Sequence, residues 1–169
     1  MSILFISDVH LSPEQHEIAA AFYRFLSTEA SKAHALYILG DLFETWIGDD
    51  DPSELANEVQ DRLRALTSSG TKVYLQHGNR DFLLGSRFER KTGAKLVSDY
   101  HIICEYGHRA LLMHGDLLCT DDHAYQAFRR KVRNPVYRWI LRNLPLSKRQ
   151  EMALRWRTET SRLSKKKAS

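Results

Sequence analysis

The sequence predicts an α/β domain built on a parallel sheet, giving way to an antiparallel hairpin and then to helices. Three observations predict it. Short, nearly continuous apolar runs alternate with segments of helical periodicity, the pattern that parallel strands and crossover helices produce. Several of these runs end in Gly, Asp, Asn or His, more polar chemistry than a plain turn requires. The length, 169 residues, suffices for one domain with a real core and is short for two.

Taken in order, "ILFIS" (3–7) reads as a short buried strand, and residues 14–33 carry an amphipathic helical pattern. "ALYILG" (35–40) is a second buried strand, followed by the turn-prone "GDDDPS" and a helix over 53–68. "KVYLQ" (72–76) is a third strand, after which "QHGNRDF" leads into a short helix from Phe82 to Lys91, ended by Gly93. Right-handed crossovers are expected between these parallel strands. The run "YHIICEYGHRALLMHGD" holds two β-rich stretches around "YGHR" and reads as a hairpin. From Phe128 to Arg157, Val132, Val136, Trp139, Ile140, Leu141, Leu144, Met152, Leu154 and Trp156 are mixed with many basic residues. That composition fits a helical hairpin packed on the body, and equally a helix lying at a membrane interface.

Hydrophobic content of 43% and charged content of 27% are ordinary for a soluble protein, and no apolar stretch approaches the roughly 18 residues that span a bilayer. The N-terminus meets Asp8 early, so it reads as a strand and not as a signal peptide. Cys104 and Cys119 lie in or beside apolar runs and are expected to be buried thiols in a cytosolic protein. The net charge of +4 conceals a division: residues 1–128 hold 11 basic and 19 acidic residues, net −8, and residues 129–169 hold 14 and 2, net +12. An acidic body suits bound cations, and a basic tail suits an anionic partner. The interleaving of Trp, Ile and Leu with those basic residues argues against nucleic acid as that partner.

The strand ends carry the chemistry. Asp8 and His10 follow the first, Asp41 the second, Asn79 and Arg80 the third, and His114 the second arm of the hairpin. In an open α/β sheet these carboxyl ends form one ligand-binding edge. Asp8 and His10 alternate with Val9, so in extended chain their side chains share a direction. Taken singly, Asp41 reads as a turn or cap residue and His114 as a hydrogen-bonded half-buried histidine. Four strands delivering such residues to one rim read instead as a divalent metal site, and the mixed oxygen and nitrogen set favours the harder ions. His16, His34, His101 and His108 lack this context and are expected at the surface.

The motifs "DVH" (8–10), "GD" (40–41), "GNRD" (78–81) and "HGD" (114–116) resemble the calcineurin-like metallophosphoesterase signature. The longer stretches "YILGDLFETWIGDDD", "HGNRDFLLGSRF" and "HGDLLCTDDHAYQAFRRKV" resemble the UDP-2,3-diacylglucosamine pyrophosphohydrolase family of bacterial lipid A synthesis, over essentially all 169 residues. The resemblance implies a metallophosphoesterase sandwich, with a core over 1–121 and an inserted basic, apolar helical lid over 122–169. It implies two Mn²⁺ ions held by Asp8, His10, Asp41, Asn79 and His114, with Asp41 bridging. It further implies Asp41, Asn79 and Arg80 as catalytic residues, and Asn79, Arg80, Asp122, Thr160, Ser164 and Lys167 as substrate contacts. Asp122 reads equally as a helix cap before Ala124. The implied reaction splits the pyrophosphate of a UDP-linked diacylated glucosamine into UMP and lipid X, by an enzyme peripheral to the cytoplasmic face of the inner membrane. Family members also carry a "GHTH" motif whose histidines complete the metal site, with further strands flanking the lid, and neither is present in these 169 residues. The expectation is therefore an incomplete two-metal site, with one position built mainly from Asp8, His10 and Asp41. A non-catalytic domain that binds metal or anionic lipid, and a nucleotide phosphodiesterase, are the alternatives to the pyrophosphohydrolase.

Overall fold

The computed structural model describes residues 2–155. Four parallel strands form one sheet in the order β1 (Ile3–Ile6), β2 (Ala35–Leu39), β3 (Lys72–Gln76) and β4 (Lys95–Leu96). Helices α1 (His16–Thr28), α2 (Glu54–Ser68) and α3 (Ser86–Thr92) follow the first three strands. Strands β5 (His101–Glu105) and β6 (His108–Leu112) pair antiparallel as a separate hairpin. Its two-residue turn needs positive φ at both positions, and Tyr106 (φ 52°) and Gly107 (φ 78°) supply it.

Strand alternation divides the core. Leu36, Ile38, Val73 and Leu75 point into one large cluster with Ala19, Phe22 and Leu26 of α1 and Val59, Leu63 and Leu66 of α2. The opposite face places Ala35 and Tyr37 against Ile103 and Leu112 of the hairpin, with Ile3, Leu39 and Tyr74 packed beside them. Helices on one side of the sheet and a second sheet on the other make a layered sandwich. Each fully buried aliphatic side chain in it contributes about 1.5–3 kcal/mol.

Four expectations change. β1 is only half-buried, and Phe5 is 45% exposed, because β1 is the edge strand of its sheet. α1 ends at Thr28 and yields to a 3₁₀ turn over Ala30–Lys32. α3 begins at Ser86 and not at Phe82, because Asp49 accepts from the backbone N–H groups of Gly85, Arg87 and Phe88 at 3.0, 3.1 and 3.0 Å and so fixes the first turn there. Its end at Gly93 (φ 76°) is where the sequence puts it. Both cysteines are exposed: Ile103 takes the inward position on β5, so Cys104 faces outward opposite Arg109, and Cys119 follows the exposed Leu118 at the end of a 3₁₀ turn.

Beyond the hairpin lie α4 (His123–Arg133), α5 (Pro135–Asn143) and a helical stretch over 146–155. Val132 and Leu141 are buried in the same cluster as the body, with Phe128, Tyr137, Leu144 and Met152 packed against it. Asn134 caps α5 by accepting from Val136 and Tyr137 N–H, with Pro135 at the first helical position.

Candidate metal centre

The loops after β1 and β2 run side by side and are zipped by backbone bonds. Asp8 N–H donates to Gly40 O (3.2 Å), His10 N–H to Asp41 O (3.0 Å), Leu11 N–H to Leu42 O (2.9 Å) and Glu44 N–H to Leu11 O (3.0 Å). Asp8, His10 and Asp41 all sit at positive φ, 53°, 53° and 52°. Such left-handed backbone costs non-glycine residues on the order of 1–3 kcal/mol each and concentrates at functional sites. The extended geometry expected of Asp8-Val9-His10 is thus replaced by left-handed turns, because β1 ends at Ile6, yet the two side chains still converge.

The convergence has a definite form. Donor atoms of Asp8, His10 and Asp41 lie within 4.8 Å of one another. His10 Nε2 is 3.8 Å from Asp8 Oδ1 and 3.8 Å from Asp41 Oδ2, and His114 Nε2 is 3.7 Å from the same Asp41 Oδ2. These spacings exceed hydrogen bonds and approach those of donor atoms sharing a cation with bonds of about 2.1 Å. Both histidines are held by their other nitrogen. Nδ1 of His114 donates to Leu39 O (2.8 Å), and Nδ1 of His10 to Glu44 Oε2 (2.8 Å). Carbonyl and carboxylate oxygens only accept, so both rings keep Nε2 free as a ligand atom.

Asp41 is 2% exposed, and burial raises its pKa, partly opposed by the Arg80 N–H bond to Oδ1 (2.8 Å) and by the two histidines. Oδ2 is left between the imidazoles. A desolvated carboxylate flanked by two Nε2 atoms fits divalent cations, and the donor set fits them chemically. Two glycines permit this approach. A Cβ at Gly78 would collide with the Asp41 carboxylate, and one at Gly40 (φ 90°) would meet the His114 ring at 2.6 Å. Asp81, wholly buried, ties the β2 and β3 loops together by accepting from Leu42 N–H (2.8 Å) and Gly78 N–H (2.7 Å), while burial and the Asp41 charge push its pKa up to about 6.

The other expected site residues are placed as follows. Asn79 follows Gly78 beside Asp41, and its side chain meets the Tyr125 hydroxyl, which donates to Asp116 Oδ2 at 2.7 Å. Arg80 lies on the same loop with its guanidinium 3.6 Å from Glu44 Oε1. Asp122 caps α4, accepting from Tyr125 N–H at 3.0 Å. Thr160, Ser164 and Lys167 lie outside the described residues. Sequence reasoning passed over Glu44, Tyr125 and Asp116. Glu44 sits three residues past Asp41 in "GDLFE", and that spacing was its one available signal.

The calcineurin-like phosphoesterase family model matches residues 1–164. A UDP-2,3-diacylglucosamine hydrolase of Azotobacter vinelandii is 50% identical over 169 residues, covering 100% of this chain and 70% of the relative. The enzyme of the same name from Escherichia coli O157:H7 is 49% identical over 168 residues, covering 99% and 70%. A solved structure, a protein of unknown function from Aquifex aeolicus, superposes over 77% of this chain and 70% of its own with a TM-score of 0.46 at 22% identity, too distant to add to these relationships.

Proposed function

The chain belongs to the UDP-2,3-diacylglucosamine hydrolase family of calcineurin-like phosphoesterases, and on that premise we propose that it hydrolyses the pyrophosphate bond of UDP-2,3-diacylglucosamine. The products are UMP and 2,3-diacylglucosamine 1-phosphate, and the cations are Mn²⁺. The reading rests above all on Asp41 Oδ2 lying 3.8 and 3.7 Å from Nε2 of His10 and His114, which would let this one carboxylate serve a cation beside either histidine. Asp8 would help to hold one cation, and Asn79 would join His114 in holding the other.

A pair of divalent ions would polarise a phosphoryl oxygen and acidify water, the two things a strongly anionic pyrophosphate needs. The chain's own residues do the rest. Asp41 would be the carboxylate that both cations share. Arg80 offers a planar fork to two phosphate oxygens, which a point charge cannot match. Asn79 orients a phosphate oxygen with its amide, itself held by Tyr125. The acyl chains and the anionic headgroup are read by the basic, apolar segment 122–169, including Asp122, Thr160, Ser164 and Lys167, at the cytoplasmic surface of the inner membrane.

The test is UMP release from the lipid substrate with Mn²⁺, for the full-length enzyme, wild type and Asp41→Ala. Wild-type release that depends on Mn²⁺ and is abolished in Asp41→Ala is expected, since removing the shared carboxylate leaves two cations facing each other uncompensated. Asp41→Ala activity close to wild type at saturating Mn²⁺ would remove Asp41 from that role.

A further inference from the structure

Glu44 stands between the metal-facing and phosphate-facing halves of the site. Its Oε2 is 2.8 Å from His10 Nδ1, and its Oε1 is 3.6 Å from the Arg80 guanidinium. The backbone sets this position. Glu44 N–H donates to Leu11 O (3.0 Å) on the β1 loop, and Trp46 N–H, two residues on, donates to Arg80 O (3.2 Å) on the β3 loop. Phe43 and Trp46 flank it, each 2% exposed, and anchor the segment in the core. Glu44 is thus stitched between the two loops whose side chains it touches, and it is only 26% exposed.

We propose that Glu44 is a shared positioning residue, with one oxygen fixing the His10 tautomer and ring direction and the other restraining Arg80. Resting on the proposed reading of the site, this links the group that grips phosphate to the groups that hold metal. A carboxylate behind a metal-facing histidine orients the ring and makes its free nitrogen a better donor, and its loss typically weakens metal binding by about 10–100-fold. The partly exposed pair with Arg80 is worth less, roughly a few-fold in substrate affinity.

Two variants separate the jobs. Glu44→Gln keeps an oxygen that can accept from His10 Nδ1–H but loses the charge facing Arg80. Glu44→Ala loses both. The first measurement uses metal-free protein: ¹⁵N-resolved imidazole spectra should show His10 protonated at Nδ1 in wild type and Glu44→Gln, and shifted toward the Nε2-protonated form in Glu44→Ala. Calorimetric Mn²⁺ titration should then give an affinity about 10–100-fold weaker for Glu44→Ala and within about threefold of wild type for Glu44→Gln. In a His10→Ala background, Glu44→Ala should cost no further affinity, a coupling that a merely structural role would not produce. Glu44→Gln should raise the substrate KM roughly threefold with kcat little changed, and this effect should vanish beside Arg80→Ala. An Nε2-protonated His10 in wild type, or additive losses in either double variant, overturns the proposal. Wild-type protein that binds no Mn²⁺ would sink the reading of the site, and the metal-free spectra would still decide the role of Glu44.

Discussion

At the scale of single residues, the site is built from side chains whose backbones are held where they would not settle alone. Asp8, His10 and Asp41 occupy left-handed conformations, paid for by the bonds that zip the β1 and β2 loops together. Residue types at strand ends were therefore legible in the sequence, since ligand chemistry is local and strands 1, 2, 3 and 6 all end at one edge. The conformations were not, because strict alternation through Asp8-Val9-His10 would place the side chains similarly by a different backbone. Glu44 left little signal for another reason: its role depends on the β1 and β3 loops both lying beside the β2 loop. Arg80 gives the residue-scale prediction. Arg80→Lys keeps the charge and loses the two-pronged grip, so kcat/KM for UMP release should fall roughly 10–1,000-fold, the range of about 1.4–4 kcal/mol. A change no larger than that from substituting exposed Lys95 would mean that Arg80 does not meet the phosphate.

Among elements, the joints between helices and loops matter more than the helices themselves. Arg142 Nη2 donates to Leu84 O (2.6 Å) and Arg133 Nη2 to His77 O (2.7 Å), so α4 and α5 grip the β3 loop by its carbonyls. Arg149, 5% exposed, donates to Ile47 O (2.6 Å), Leu144 O (2.9 Å) and Asp50 Oδ1 (2.7 Å), joining the 146–155 stretch to the turn after β2. The strands and helices of the body were readable because periodicity records burial, whereas these arginines read only as part of a basic tail suited to an anionic partner. Gly48 (φ 141°) is packed so closely that a Cβ there would collide with Arg149, whose bonds leave it little room to yield. Gly48→Ala should lower the unfolding free energy by about 1–3 kcal/mol in urea titration, and an unchanged midpoint would show that the joint is loose. The hydrogen bonds from Arg149 hold the Asp50 carboxyl below its usual 3.8, against the opposing effect of burial. A depressed acid contributes stability above its unfolded value and loses it as pH falls through its folded value. The stability gap between wild type and Asp50→Asn should therefore be constant from pH 7 to about pH 5 and close below pH 4. A gap that widened on acidification would contradict the pairing.

Across the whole molecule, charge and apolar surface are segregated in the same sense. Residues 1–128, which include Asp8 and Asp41, carry net −8, and residues 129–169 carry net +12. Within that basic segment α5 leaves Val136, Trp139 and Ile140 exposed at 65%, 66% and 45%, at spacings of three and four residues that put them on one face. Among the described residues, no helix is long and apolar enough to cross a membrane. With that apolar face exposed, α5 would meet a bilayer at its surface, apolar side chains entering the interface and basic side chains facing anionic headgroups, each cation adding about 1 kcal/mol near the surface. The acidic body would be repelled by the same headgroups, which would turn the basic segment toward the membrane. Vesicle co-sedimentation checks this directly. Binding to vesicles rich in phosphatidylglycerol should fall steeply as salt rises from 50 to 500 mM, because the Debye length shrinks from about 14 to about 4 Å over that range. Trp139→Ala with Ile140→Ala should weaken it at low salt without altering the salt dependence, since apolar insertion is not screened. Equal binding to vesicles of phosphatidylcholine alone at high salt would show that charge segregation plays no part in bringing this protein to a membrane.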